Sequence, residues 1–343
     1  MNSTTQINIF AGTGGVGKTT LATSKAIFEA QQNKKVLLIT IDPSLRLKQL
    51  INLENNEGYI NKILIKDIIN SYGGDHEFSA LCFNPLNTFK KITKNHDFDK
   101  ILQDNRILKI LTQPFGAMNE IMAYIELSYH YFSNEYDLII LDTPPGKNFV
   151  DFIHVFEKLN TFFNFYFFEI FKYLPSIKKN KNTSIFKKIV NSGIDKALHY
   201  LEKVTGPVFI EEFINTISIL YEKKDIFLKA STLKDYLNNE KISTIFLTTS
   251  IDQIKLEELK ELLKEISSYI SSKKVLTINK SLSEQLESWA PTNNEEQYIK
   301  DHFLFKENKI KNIAYELNLE TVYFSENLSV HPYDYLISLI NEW

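Results

Sequence analysis

The sequence predicts an α/β fold, a doubly wound and mainly parallel sheet with an inserted helical subdomain. Three observations predict it. Short, continuous, apolar runs rich in β-branched residues recur along the 343 residues, most of them separated by helical patterns. Strands buried on both faces by crossover helices read this way. A glycine-rich octapeptide, Gly12-Thr13-Gly14-Gly15-Val16-Gly17-Lys18-Thr19, stands between the first run and the first helical pattern. The fourth and fifth runs are about a hundred residues apart, where a helical crossover takes a dozen or so.

In order along the chain, Ile7–Ala11 is a short apolar strand and Thr20 to Gln32 reads as the helix that follows it. Val36–Asp42 is the second strand and Phe78–Phe83 the third, with a connection from Pro43 to Ser79 that is too long for a simple crossover. Ala117–Phe132 has a helical pattern and leads into the strand Leu138–Asp142. The stretch from Thr143 to Ser243 must hold structure of its own, and its patterns are helical: Phe149–Tyr173, Ile185–Val204 and Val208–Tyr236. Pro175, Asn180 to Asn182 and Gly206-Pro207 break them. Thr244–Thr249, Val275–Asn279 and Thr321–Phe324 complete the sheet, with a helix expected over Gln253–Ile270. The expected organisation is an α/β domain in two parts, 1–145 and 241–343, interrupted by a helical subdomain at 146–240.

Bulk composition narrows the class of function. The apolar share is 43% and the charged share 24%, both ordinary for a soluble globular protein. A formal net charge of −3 argues against general nucleic-acid binding. No apolar run is long enough to span a bilayer and no secretory pattern opens the chain, so a cytoplasmic protein without a transmembrane segment is expected. Cys82 is the one cysteine. It can form neither an internal disulfide nor a multi-thiolate metal site, and its apolar neighbours suit a buried thiol. His130 and His154 lack ligand partners three or four residues away, so no metal role is assigned to them.

The octapeptide fits the G-x-x-x-x-G-K-[ST] phosphate-binding loop. Successive backbone N–H groups can surround a phosphate only where side chains do not block its approach and where φ can turn positive, hence the glycines. The binding residues are therefore Gly12, Thr13, Gly14, Gly15, Val16, Gly17, Lys18, Thr19 and Thr20, at the N-terminus of a helix that favours an anion. Lys18 would reach the β- and γ-phosphates, and the Thr19 hydroxyl would hold Mg²⁺. The apolar strand ending Leu141-Asp142 before Thr143-Pro144-Pro145-Gly146 suits a Walker B acid, so Asp142 is the second metal candidate. Asp42 ends another apolar strand, where open α/β sheets place their ligands. It could orient the attacking water or bind a metal-bound water. This is the pattern of a P-loop NTPase, with ATP or ADP and Mg²⁺ as cofactors.

Gly-Gly-Val-Gly-Lys-Thr-Thr at 14–20, Asp42-Pro43 and Asp142-Thr143-Pro144-Pro145 resemble the deviant-Walker ATPases. Among them the chain is most similar to the arsenite-pump (ArsA-type) family, which includes the ATPase that delivers tail-anchored membrane proteins. The likeness extends to Pro114–Leu127, Val204–Tyr221, Thr248–Leu263 and Val275-Leu276-Thr277-Ile278-Asn279-Lys280. It implies that Asp42 opens switch I and polarises the attacking water, and that Asp142 opens switch II. It also implies that Asn279 hydrogen-bonds the adenine edge; a strand-end asparagine in a turn is the alternative. The same resemblance implies a homodimer. The departures carry weight. The family has a lysine after the first glycine, reaching across the dimer, where this chain has Thr13. That weighs against dimer-activated hydrolysis by the same route. Arg46 or Lys147 could supply the missing cation, or simply be solvated. The cysteines that bind zinc at the eukaryotic dimer seam and those that bind arsenite are both absent, so arsenite transport and zinc-linked dimerisation are not expected.

The run Phe162-Phe163-Asn164-Phe165-Tyr166-Phe167-Phe168-Glu169-Ile170-Phe171 is apolar nearly all round yet too short to cross a membrane. It is either buried between helices or partly exposed as a contact surface for a protein partner or hydrophobic client. Lys178, Lys179, Lys181, Lys187 and Lys188 form either a solvated face or a docking patch. The expected function is a Mg²⁺-dependent ATPase whose hydrolysis switches the helical subdomain. The alternative is an ATP-gated binding or positioning protein that hydrolyses very slowly or not at all.

Overall fold

The computed structural model describes residues 5–41, 51, 57–69, 74–93, 105–111, 119–155, 222–327 and 332–343, with isolated positions between 203 and 219. The strands are β1 (Gln6–Gly12), β2 (Val36–Thr40), β3 (Ile60–Leu64), β4 (Glu77–Cys82), β5 (Leu138–Asp142), β6 (Ser243–Ser250), β7 (Lys273–Ser281) and β8 (Glu320–Ser325). They form one sheet in the order β3-β4-β2-β5-β1-β6-β7-β8. Every neighbouring pair is parallel except β3 with β4. The doubly wound expectation therefore holds, with β1 near the centre, β6, β7 and β8 following in sequence order on one side of it and β5, β2, β4 and β3 on the other.

β3 is the strand the sequence reading missed. An edge strand pairs on one side only, so Asn61 and Lys62 in Ile60–Leu64 can meet solvent and no continuous apolar run is required. The interior strands differ: every residue of β2 and β5 is buried, as parallel strands between two helical layers must be.

The helices are α1 (Lys18–Gln31), α2 (Ile65–Ile68), α3 (Pro85–Thr93), α4 (Arg106–Leu111), α5 (Asn119–Ser133) and α6 (Lys147–Ile153). After them come α7 (Lys224–Ser231), α8 (Leu233–Leu237), α9 (Gln253–Tyr269), α10 (Ser283–Ser288), α11 (Asn294–Leu317) and α12 (Pro332–Asn341). On one face of the sheet, Phe10, Leu38, Ile140 and Phe246 pack with Leu21, Ala22 and Ala26 of α1 and Leu336, Leu339 and Ile340 of α12. Pleat alternation turns Ile9, Ile39, Leu141 and Leu247 to the opposite face, where they too are buried. Local chemistry sets several helix ends. Asp252 caps α9 by accepting from Ile254 N at 2.8 Å and Lys255 N at 3.2 Å, and Asn293 caps α11 through Glu296 N at 2.8 Å.

The chain divides into two compact units. One, Met1–Phe83, Tyr129–Ile153 and Lys234–Trp343, contains the sheet; the other is Asn84–Ser128 with His154–Leu233. Within the second unit, buried Glu126 accepts from Thr88 Oγ1 at 2.7 Å and pairs with Lys91. Asn105 Nδ2 donates to Glu212 O and Thr216 Oγ1, each at 2.9 Å. Residues 156–173 of the expected helical pattern Phe149–Tyr173, with its aromatic run Phe162–Phe171, nearly all of the expected pattern Ile185–Val204, and the lysines from 178 to 188 lie outside the described residues. Among the described residues no helix is long and apolar enough to cross a membrane.

Candidate nucleotide site

The glycine loop joins β1 to α1 at the carboxyl edge of the sheet, where β5, β6 and β7 also end. Gly12 has φ 154° and pairs with Thr248 of β6, and a Cβ there would stand 2.2 Å from Thr248 O. Only glycine lets the loop leave β1 so close to its neighbour. Gly17, at φ 91°, closes the loop in the left-handed region and hands the chain to α1. The helix consequently starts at Lys18, two residues earlier than expected. It starts without a side-chain cap, which leaves its positive end to an anion held by the loop.

Several expected residues come together here. Thr19 Oγ1 donates to Asp142 Oδ2 at 2.7 Å, although 123 positions separate them in sequence. Lys18 is buried, and its Nζ donates to the carbonyl of Thr13 at 2.9 Å. The segment after β5 is tied to the same loop: Gly146 N donates to Gly12 O at 3.0 Å and Thr143 Oγ1 to Phe10 O at 2.7 Å. Gly14 and Gly15 remain exposed, so the loop presents an open glycine face. At Gly15, with φ 78°, an added Cβ would meet nothing within 4 Å among the described residues. Its glycine answers to backbone geometry and ligand approach rather than to crowding by the protein.

Thr13 is only 4% exposed, and its Oγ1 has no hydrogen-bond partner among the described residues. Buried hydroxyls in that condition are costly unless a ligand or water satisfies them. Asn279 is wholly buried, its Nδ2 donating to Val16 O at 2.9 Å. Tyr335, which the sequence reading did not single out, donates its hydroxyl to Asn279 Oδ1 at 2.8 Å. No local pattern marks a tyrosine that serves a loop three hundred residues away. Asp42 and Arg46 lie outside the described residues, as does the side chain of Lys147. Ile41 N donates to Asp142 O at 3.0 Å, so β2 and β5 end side by side.

The donor set fits a nucleotide with a hard divalent cation. A hydroxyl and a carboxylate oxygen in contact are Mg²⁺-type oxygen ligands, and such sites complete their shell with water and phosphate rather than more protein. Among the described residues no cluster of three or more His, Cys, Asp or Glu side chains suited to a metal forms. Cys82 is buried in β4.

The sequence matches the family model described as anion-transporting ATPase over residues 5–315. It is 25% identical over 325 residues to the putative arsenical pump-driving ATPase 2 of Aquifex aeolicus, covering 92% of this chain and 91% of that protein. A second Aquifex aeolicus relative, putative arsenical pump-driving ATPase 1, is 26% identical over 66% of this chain and 58% of its own length. The ATPase ASNA1 homolog of Plasmodium vivax is 28% identical over 42% of this chain and 35% of its own.

Proposed function

The chain belongs to the anion-transporting, ArsA-type ATPase family and is an ATP hydrolase, and from that premise we propose that Mg²⁺-dependent hydrolysis switches a helical subdomain engaging a protein partner or hydrophobic client. The observation that carries the site is the 2.7 Å contact between Thr19 and Asp142. These two residues would hold Mg²⁺, which neutralises charge developing on the phosphate oxygens. The N–H groups of Gly14 to Thr20 bind the phosphates, and Lys18 adds a buried cation. Asp42 polarises the attacking water, the role its Asp-Pro motif shares with the resembled family. Asn279 stands at the same edge of the sheet, and one N–H is what it retains for a base.

The hydrogen bond from Gly146 N to Gly12 O supports a switch at this place. A change at the phosphates acts directly on the segment that enters the inserted subdomain, 146–240, while 1–145 and 241–343 form the nucleotide-binding domain. The protein works in the cytoplasm as a homodimer. Its client is not arsenite: the single cysteine is buried in β4, whereas arsenite binding needs several thiolates. A second reading, very slow hydrolysis with ATP binding as the gate, is favoured by Thr13, whose short buried side chain replaces the lysine of the resembled family.

Phosphate release and calorimetric ATP titration test both. Lys18→Ala removes a charge-assisted phosphate contact worth roughly 1.5–3 kcal/mol, so affinity should fall about 10- to 150-fold. Asp42→Asn should bind ATP normally and lose turnover. Wild-type affinity in Lys18→Ala sinks the phosphate site, and turnover that is immeasurably slow despite tight binding favours the second reading.

A further inference from the structure

α11 has one face in the protein and one in solvent. Glu307, Ile310, Ile313 and Ala314 are buried where the helix packs on α9 and α10. Glu307 also ties it to the end of β7, accepting from Ser281 Oγ and Ser283 Oγ at 3.2 Å each. On the opposite face Tyr298 is 74% and Phe305 67% exposed, with Tyr315 beside them at 87%. Lone exposed apolar side chains are ordinary on a surface. These differ in their spacing. Tyr298, Phe305 and Asn312 recur every seven residues, so they form one stripe along a helix about 36 Å long.

The charge on this stripe changes sign about its middle. Asp301 stands four residues before Phe305 and Lys309 four residues after it. Asp301 is held in place by Gln297, whose Nε2 donates to Oδ1 at 2.8 Å.

We infer that the outward face of α11 docks the same helix of a second copy of this chain, antiparallel, about a two-fold axis at Phe305. An axis there sets each residue against the one equally far along on the other side. Phe305 meets its own copy, Asp301 meets Lys309 twice over, Tyr298 meets Asn312, and Glu316 meets Asn294. No like charges oppose. Parallel pairing would set Asp301, Lys309 and Glu316 each against itself, so charge selects the antiparallel register. Such a contact is isologous and closes on a pair instead of propagating into a filament. The surface is separate from the nucleotide site: α11 leads into β8, three strands away from β1 and its glycine loop. It can close whether or not copies also meet at that edge, and it does not rest on the nucleotide-site reading.

Cross-linking reads this geometry directly. The full-length chain holds one cysteine, buried in β4, so wild type gives the background. Under mild oxidation Phe305→Cys should form a disulfide-linked dimer, since the two sulfurs stand together at the axis. Tyr315→Cys, more exposed but about 30 Å from its own copy, should not. No dimer from Phe305→Cys, or as much from Tyr315→Cys, would overturn the inference, the second result showing chance collisions only. In the Phe305→Cys background, Asp301→Lys and Lys309→Asp should each slow cross-linking about tenfold, because like charges then oppose twice. Mixed in equal amounts, the two variants should recover the parent rate, each ion pair being restored with its signs exchanged. A mixture that stays slow would overturn the antiparallel register. These side chains lie on the solvent face, so melting temperatures should hold. Lys18→Ala should cross-link like its parent, which keeps failure here apart from failure of the phosphate site.

Discussion

At Gly17 two requirements fall on one residue. Its φ of 91° excludes most side chains, and the Asn279 amide occupies the place a Cβ would take. Gly15 carries the first requirement without the second. Gly15→Ala should therefore cost roughly 1–2 kcal/mol, the left-handed penalty alone. Gly17→Ala should cost that plus about 1–3 kcal/mol for displacing a held amide. Urea denaturation of both variants checks the order, and equal costs would mean that Asn279 swings aside freely. Thr13 shows how much a single position can say. Its class was legible in the glycine pattern, but its burial was not, because a loop residue's neighbours are set by β1, β5 and β6 meeting at one edge.

At the scale of elements, α1 and α12 share one buried face of the sheet, and Trp343 closes that cluster. The indole lies 4.7 Å from the Phe324 ring and 5.5 Å from Phe246, with Lys25 Nζ 4.4 Å above it. Its Nε1 donates to Ser24 Oγ at 2.8 Å. Trp343→Ala should cost about 3 kcal/mol, the lower end for a large aromatic because the ring is only half-buried. The change belongs in the denaturation midpoint, with the slope unaltered. On the same helix, burial alone would push the Glu29 carboxyl up, but hydrogen bonds from Lys34 and Lys25 outweigh it and hold the group below the ordinary glutamate value of 4.5. A carboxyl depressed in the folded state stabilises above its unfolded value and loses that contribution as pH falls through the folded one. Glu29→Gln should thus be less stable than wild type at neutral pH, and the gap in urea midpoints should shrink as pH drops below 4.5. A gap independent of pH would show that packing, not charge, holds this corner.

For the whole molecule, strand order decides where chemistry can occur. Parallel strands on both sides of β1 bring the ends of β1, β5 and β7 to one edge, the position where open α/β sheets bind ligands. If no lysine crosses between protomers, specific ATPase activity should depend little on protein concentration, and Thr13→Lys should raise it where the dimer seam still closes. A steep rise in wild-type turnover per molecule with concentration would reveal a different residue acting in trans, and Arg46 would be the first to replace with alanine.

Short-range pattern was enough for the sheet and the loop. The interior strands were legible because a parallel strand covered on both faces must be largely apolar, the edge strand β8 because Thr321-Val322-Tyr323-Phe324 is β-branched and aromatic without a break, and Gly12 to Thr19 is a contiguous requirement of one backbone shape. β3 escaped because an edge strand is free of that requirement. The pairing of Thr19 with Asp142 could be expected only through two motifs, and its 2.7 Å distance came from β1 and β5 lying side by side. Asn279 marks the limit most clearly. Its residue type and strand-end position were readable, but a carboxamide offers both donors and an acceptor. Which protein partners they find depends on Val16, 263 positions away, and on Tyr335, 56 positions away. Partners so remote in sequence are chosen by strand order and helix docking, and these exist only once the chain has folded.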